Sequence, residues 1–182
     1  MGGRRRALLT LVLCWARWEY FMIILRPRGR NIAWAGVVHP GMISDGFAEL
    51  LGARRQGVLV TLRKDGWPQL SNVNYGWDTE SQTIRISSTD DRAKTHNLRR
   101  DPRASFHVTT GDFWSYVVVD GRAELSAVAK DPYDAAVEEL IDLYRAVHGE
   151  HPDWDDYRAA MVRDRRLVVR LRAERAYGAV RR

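Results

Sequence analysis

Only one cysteine, Cys14, occurs in 182 residues, which excludes an intramolecular disulfide framework and a thiolate metal cluster. That usage fits a reducing, cytoplasmic setting. Lysine is also scarce: Lys64, Lys94 and Lys130 are the three among 29 basic side chains. No uninterrupted run reaches the roughly 20 apolar residues that cross a bilayer as a helix. There is no internal repeat and no low-complexity tract, and the elements do not alternate as βαβ units, which argues against a Rossmann domain. What remains, 45% hydrophobic and 29% charged, is ordinary globular composition for one domain.

The formal net charge of +6 suggests a nucleic-acid partner, but its distribution removes that reading. Residues 1–41 hold seven arginines (Arg4, Arg5, Arg6, Arg17, Arg26, Arg28, Arg30) against one acid, Glu19. Of the 29 basic and 23 acidic residues, 22 of each therefore lie from Met42 onward. A domain without excess positive charge lacks the electrostatic footprint of a general nucleic-acid binder.

Residues 1–41 are expected to be a non-domain extension. Arg4-Arg5-Arg6 followed by the apolar stretch 7–16 outlines a secretory signal, but Arg17-Trp18-Glu19-Tyr20 interrupts it and no small-residue cleavage site follows. Joining the stretch to the next apolar patch would place Arg17 and Glu19 inside a membrane span, which is costly. The charge break at Met42 favours a start codon assigned too far upstream, ahead of a signal peptide, and that ahead of a membrane anchor.

From Met42 onward the pattern is regular. Ile43, Phe47, Leu50 and Leu51 recur at helical spacing, with Gly52 where the helix ends. Strands are predicted over 58–62 and 69–77, joined by the turn signal Lys64-Asp65-Gly66, with Pro68 at a sheet edge where a missing N–H is tolerated. A third strand over 83–88 carries Ile84 and Ile86 on one face, and a helix is predicted over 91–100. Strands over 104–109 and 115–127 flank a turn at Thr110-Gly111-Asp112. Asp131-Pro132 reads as the N-cap and first position of a helix that ends at Gly149 and buries Val137, Leu140, Ile141, Tyr144 and Val147. A helix over 154–163 and a last strand over 166–172 complete an α+β barrel of six strands.

One segment carries candidate chemistry. A strand ends at Ser87-Ser88-Thr89, and the helix that follows has Arg92 and Lys94 in its first turn. Cations there oppose the helix dipole, and a phosphate would resolve the conflict. Taken alone, the run reads rather as an exposed helix whose charges are solvated.

The run does not stand alone. Pro68-Gln69-Leu70-Ser71-Asn72-Val73, the segment Asp91-Arg92-Ala93-Lys94-Thr95-His96-Asn97-Leu98-Arg99-Arg100-Asp101-Pro102-Arg103-Ala104, Trp114-Ser115-Tyr116 and Trp154-Asp155-Asp156-Tyr157-Arg158 resemble the actinobacterial deazaflavin-dependent branch of the pyridoxamine phosphate oxidase-like superfamily. The resemblance covers residues 42–178. It implies an FMN-binding-type split barrel, antiparallel with flanking helices, that forms a homodimer with cofactor grooves at the subunit interface. It further implies that Arg92, Lys94 and Asn97 hold the cofactor's phosphate while Gln69, Ser71, Asn72, Ser87 and Ser88 border its ring system. The cofactor implied is coenzyme F420, with FMN as the alternative, and the reaction is hydride transfer to a small conjugated organic substrate. A cofactor-binding protein without turnover also fits, because no side chain stands out as a catalytic acid.

Other features read as structural. Gly149 and Pro152 break the helix that would align His148 and His151 on a metal, which leaves an interhelical loop with Asp153 capping the next helix. Arg163-Asp164-Arg165-Arg166 reads as a solvated turn, near which an anionic cofactor tail or a partner subunit could lie. Tyr75, Trp114 and Tyr116 read as core or dimer-interface aromatics. The segment Ala173-Glu174-Arg175-Ala176-Tyr177-Gly178 lacks the arginine- and tryptophan-rich stretch that grips the pyridoxal ring in genuine pyridoxamine phosphate oxidases, which argues against vitamin B6 oxidation.

Overall fold

A computed structural model describes residues 43–181 together with Ile32 and Ala33. The expectation for residues 1–41 otherwise lies outside the described residues. Ile32–Ala33 (β1) pairs antiparallel with the C-terminal end of the last strand, opposite Arg181 and Val180.

Helix α1 (Asp45–Ala53) buries Phe47, Leu50 and Leu51, as their spacing predicts, and Ile43 beside them. Strand β2 (Gln56–Leu62) turns back into β3 (Pro68–Asn74), with Gly66 at φ +83° in the left-handed conformation the turn requires. The remaining elements are β4 (Gly76–Asp78), β5 (Thr83–Thr89), α2 (Ala93–Arg100), β6 (Arg103–Thr109), β7 (Tyr116–Leu125), α3 (Ala135–His148), α4 (Trp154–Arg163) and β8 (Arg166–Arg181).

The strands form one antiparallel sheet in the order β3-β2-β6-β7-β8-β5-β4. Its two end strands, β3 and β4, are joined through one residue, Tyr75, so the sheet must curl into a half-barrel until its ends approach. Tyr75 is fully buried at that seam, donates its hydroxyl to the Leu51 carbonyl at 2.7 Å and meets Phe106 edge-on. Burial pushes its phenol pKa upward. Inside the curl lies the main core, where Leu59, Ile84, Ile86, Phe106, Val119 and Leu171 pack against α1. A second cluster, built on Val137, Leu140, Ile141 and Met161, seats α3 and α4 on the outer side of β8 through Val168.

Seven strands, not six, make up this path. The predicted strand over 69–77 breaks at Tyr75, where the chain leaves one sheet edge for the other, and the alternation of side chains gives no sign of that change of partner. The last strand runs to Arg181, well beyond residue 172. A bulge opposite Asp120 and Gly121 leaves Glu174 and Arg175 both exposed, which breaks the period-2 pattern that marks a strand. Helix α3 starts later than Asp131-Pro132 suggests: Asp134 is its N-cap, accepting from the Val137 amide at 2.8 Å, while Asp131 supports the preceding turn through the Tyr133 amide at 2.9 Å. Helix α2 begins at Ala93, with Arg92 as its N-cap residue. Asp153 caps α4 as expected, accepting from the Asp156 amide at 3.0 Å. No described helix is long and apolar enough to cross a membrane.

Candidate functional site

The first turn of α2 is anchored from beneath. Ser88 and Thr95 share a buried hydroxyl hydrogen bond at 3.0 Å, and the Thr95 hydroxyl donates to the Thr89 carbonyl at 2.8 Å. One turn on, buried Asn97 donates its amide to Thr61 Oγ1 at 3.1 Å and Gln69 Oε1 at 2.8 Å, while its carbonyl oxygen accepts from Arg100 at 3.0 Å. These contacts tie α2 to β5, β2 and β3. They also engage Ser88, Asn97 and the side-chain carbonyl oxygen of Gln69 within the protein.

Sheet register then brings in a residue far along the chain. β5 pairs with β8 so that Thr89 lies opposite Arg166, which sets Arg166 beside the start of α2. Its Nη1 donates to Ser87 Oγ at 3.1 Å, and its Nε is buried with no hydrogen-bond partner. The nearest carboxylate oxygen to that Nε, on Asp164, is 3.8 Å away.

Asn72, Ser87, Lys94 and Arg166 form the polar side of a cleft of about 410 Å³. Leu140, Leu143, Tyr157 and Met161 of α3 and α4 form its apolar wall. No carboxylate lines it. Lys94 is half-buried, and its pKa is lowered by that burial first, then by Arg92 and Arg166. Two positive charges without a carboxylate between them, in a partly desolvated cleft, favour an anion.

Arg92 opens onto an adjoining niche of about 370 Å³, lined also by Arg163, Arg165 and Arg166 and by the carboxylates of Asp91 and Asp164. Arg165 is paired with Asp90 at 2.5 Å and Arg163 with Asp164 at 3.4 Å, whereas the Arg92 side chain has no ion pair among the described residues. Hydrogen bonds from Arg165 and then Arg99 hold the Asp90 carboxyl below the ordinary range. On the other side, Asn72, Asn74 and His148 border both the first cleft and a wider one of about 1000 Å³ that extends past Arg54, Arg55 and His107. Burial lowers the His107 pKa.

Of the residues singled out in the sequence, Asn72, Ser87 and Lys94 meet in the cleft, Arg92 stands beside it and Ser71 lines neither space. Arg166 and the α3–α4 wall were not among them. The Arg163-Asp164-Arg165-Arg166 cluster was visible, but only the β5–β8 register reveals that it adjoins Arg92. His148 and His151 do not converge on a metal: His151 Nδ1 accepts from the Asp153 amide at 3.0 Å, and both rings pack on Tyr144.

The same architecture recurs in solved structures. A conserved hypothetical protein from Mycobacterium tuberculosis is 25% identical, with a TM-score of 0.59 over 76% of this chain and 85% of its own. An F420 reductase is 24% identical (TM-score 0.56, 74% of this chain and 98% of its own). A heme binding protein from Mycobacterium smegmatis is 24% identical (TM-score 0.52, 75% of this chain and 54% of its own). The last two likenesses speak to fold alone. Residues 43–179 match the family described as pyridoxamine 5'-phosphate oxidase, and the chain belongs to that family.

Proposed function

We propose that this protein is an oxidoreductase that binds coenzyme F420 by its phosphate and transfers a hydride to a small conjugated organic substrate, working as a homodimer in the cytoplasm. One observation carries the reading: Lys94 has no ion pair among the described residues and the buried Arg166 Nε has no hydrogen-bond acceptor, in a cleft that no carboxylate lines, while Arg92, also without an ion pair among the described residues, stands in the adjoining niche. That donor set fits a phosphate. Charge-assisted hydrogen bonds from lysine and arginine are among the stronger polar contacts a protein makes.

Lys94 and Arg166 would hold the phosphate, with the Ser87 hydroxyl and the first N–H groups of α2 beside them. Asn72 and Asn74 carry amides to the junction of the two clefts, where they can orient a ring edge. The wall of Leu140, Leu143, Tyr157 and Met161 excludes water from one side. When bound, the deazaflavin supplies the hydride chemistry, and the protein supplies position and a dry, polar-edged setting. FMN is the second reading, because the cleft's cations recognise phosphate and are indifferent to the ring.

The dimer reading rests on the outer face of β2, β3, β6 and β7. Val58, Val60, Leu70, Tyr116 and Val118 point away from the core there, and Leu70 is 65% exposed. Helices α1 and α2 pack on the inner side, and α3 and α4 lie across β8 and β5, so no described helix covers this face.

The functional test is turnover. Anaerobic incubation with reduced F420 and a panel of enone, quinone and nitroaromatic acceptors should return the absorbance of the oxidised deazaflavin. Binding without turnover on any acceptor would leave a cofactor-binding protein.

A further inference from the structure

Lys94 differs from the other two lysines in its burial and in the charges around it. Lys64 and Lys130 are exposed, whereas Lys94 is half-buried in the cleft; none of the three makes a hydrogen bond or ion pair through its amine with any described residue. The charged and titratable groups facing it are Arg92 on its own helix, Arg166 from β8, Tyr144 and His148 from α3 and Tyr157 from α4. None is a carboxylate, and burial pushes the Tyr157 phenol up to about 12, which keeps it neutral. An ammonium placed here is partly desolvated, lacks a counter-ion and lies near two guanidinium groups, so its pKa is lowered and it gives up its proton more readily than a free lysine side chain.

We propose that Lys94 is a self-acylation site that takes the acyl group of a small acyl phosphate when the cleft holds no other ligand. The electrophile's class follows from the surroundings. Arg92 and Arg166 attract its phosphate, and the apolar wall of Leu140 and Met161 accepts its acyl chain. The Nζ lone pair attacks the carbonyl carbon and an N–C bond forms. The bond from that carbon to the bridging phosphate oxygen breaks, inorganic phosphate leaves and the nitrogen's proton passes to solvent. Nothing is oxidised or reduced. The resulting amide is neutral, so acylation removes one cation from the phosphate end of the cleft and competes with cofactor binding. The inference rests on the cleft's preference for anions and not on which cofactor occupies it.

The test is a time course of the full chain with acetyl phosphate near neutral pH, read by peptide mass mapping. Lys64 and Lys130 serve as internal references. Lys94 should acetylate about tenfold faster than either, the scale of one charge-assisted contact. Its lead should shrink with uncharged p-nitrophenyl acetate, and inorganic phosphate should slow Lys94 alone. Acetylation of Lys94 no faster than the references, or unaffected by inorganic phosphate, overturns the proposal. Fast acetylation of Lys94 that phosphate slows and F420 does not would sustain it while contradicting the cofactor reading.

Discussion

Lys94 and Arg166 are separated by most of the second half of the chain and meet because β5 and β8 pair in one register. If they hold an anion together, removing either should weaken binding without unfolding the protein. Lys94→Ala and Arg166→Gln are each expected to raise the Kd for F420 or FMN by about 10- to 100-fold, the range of a hydrogen bond to a charged group. Arg99→Ala and Arg100→Ala should change it little, because Arg99 pairs with Asp90 and Arg100 with Asn97 and the Leu62 carbonyl. Equal losses in all four variants, measured by fluorescence titration, would contradict this division. The pH dependence has a definite sign. Burial and neighbouring cations lower the Lys94 pKa below 10.5, so the free protein sheds this proton early on the alkaline side, whereas an anion binds the protonated form. Affinity should therefore fall as pH rises towards 10.5, and Lys94→Arg, whose guanidinium does not titrate there, should lose that limb.

Helix boundaries separate what local chemistry dictates from what the sheet imposes. The N-cap of α3 is Asp134, which also accepts from the amides of Lys130 and Asp131. Asp134→Ala should cost about 0.5–2 kcal/mol in a denaturant melt, the usual range for a lost cap, while Asp131→Ala should cost less. The reverse order would restore the cap suggested by Asp131-Pro132. Helices with strong faces were legible in the sequence: α1 through Phe47, Leu50 and Leu51, and α4 through its Asp153 cap. The break at Tyr75 and the long β8 were not, since a change of strand partner and a bulge leave no local signature. The site divides the same way. Lys94 and Ser87 lie on a recognisable strand-to-helix turn, whereas Arg166 and the α3–α4 wall join them only through sheet register and helix docking. Asn97, which the family resemblance implied as a phosphate ligand, donates its amide to Thr61 and Gln69 and so fastens α2 to β2 and β3.

At the scale of the whole molecule, the residues from Met42 onward carry no net charge, so any preference for anions must be local. The outer face of the sheet that no described helix covers offers the surface for a second copy. Leu70→Glu, placing a charge on its exposed end strand, should convert the proposed dimer into a monomer in light scattering, and an unchanged mass would remove that face from consideration. The cation-lined cleft and its basic niche make the central claim, a site suited to a cofactor with anionic groups beyond one phosphate. Side-by-side titrations of F420 and FMN at low and high ionic strength test it most directly. Tighter binding of F420, with an advantage that shrinks as salt screens its anionic tail, is the predicted result. FMN binding as tightly or more tightly at both ionic strengths would contradict it.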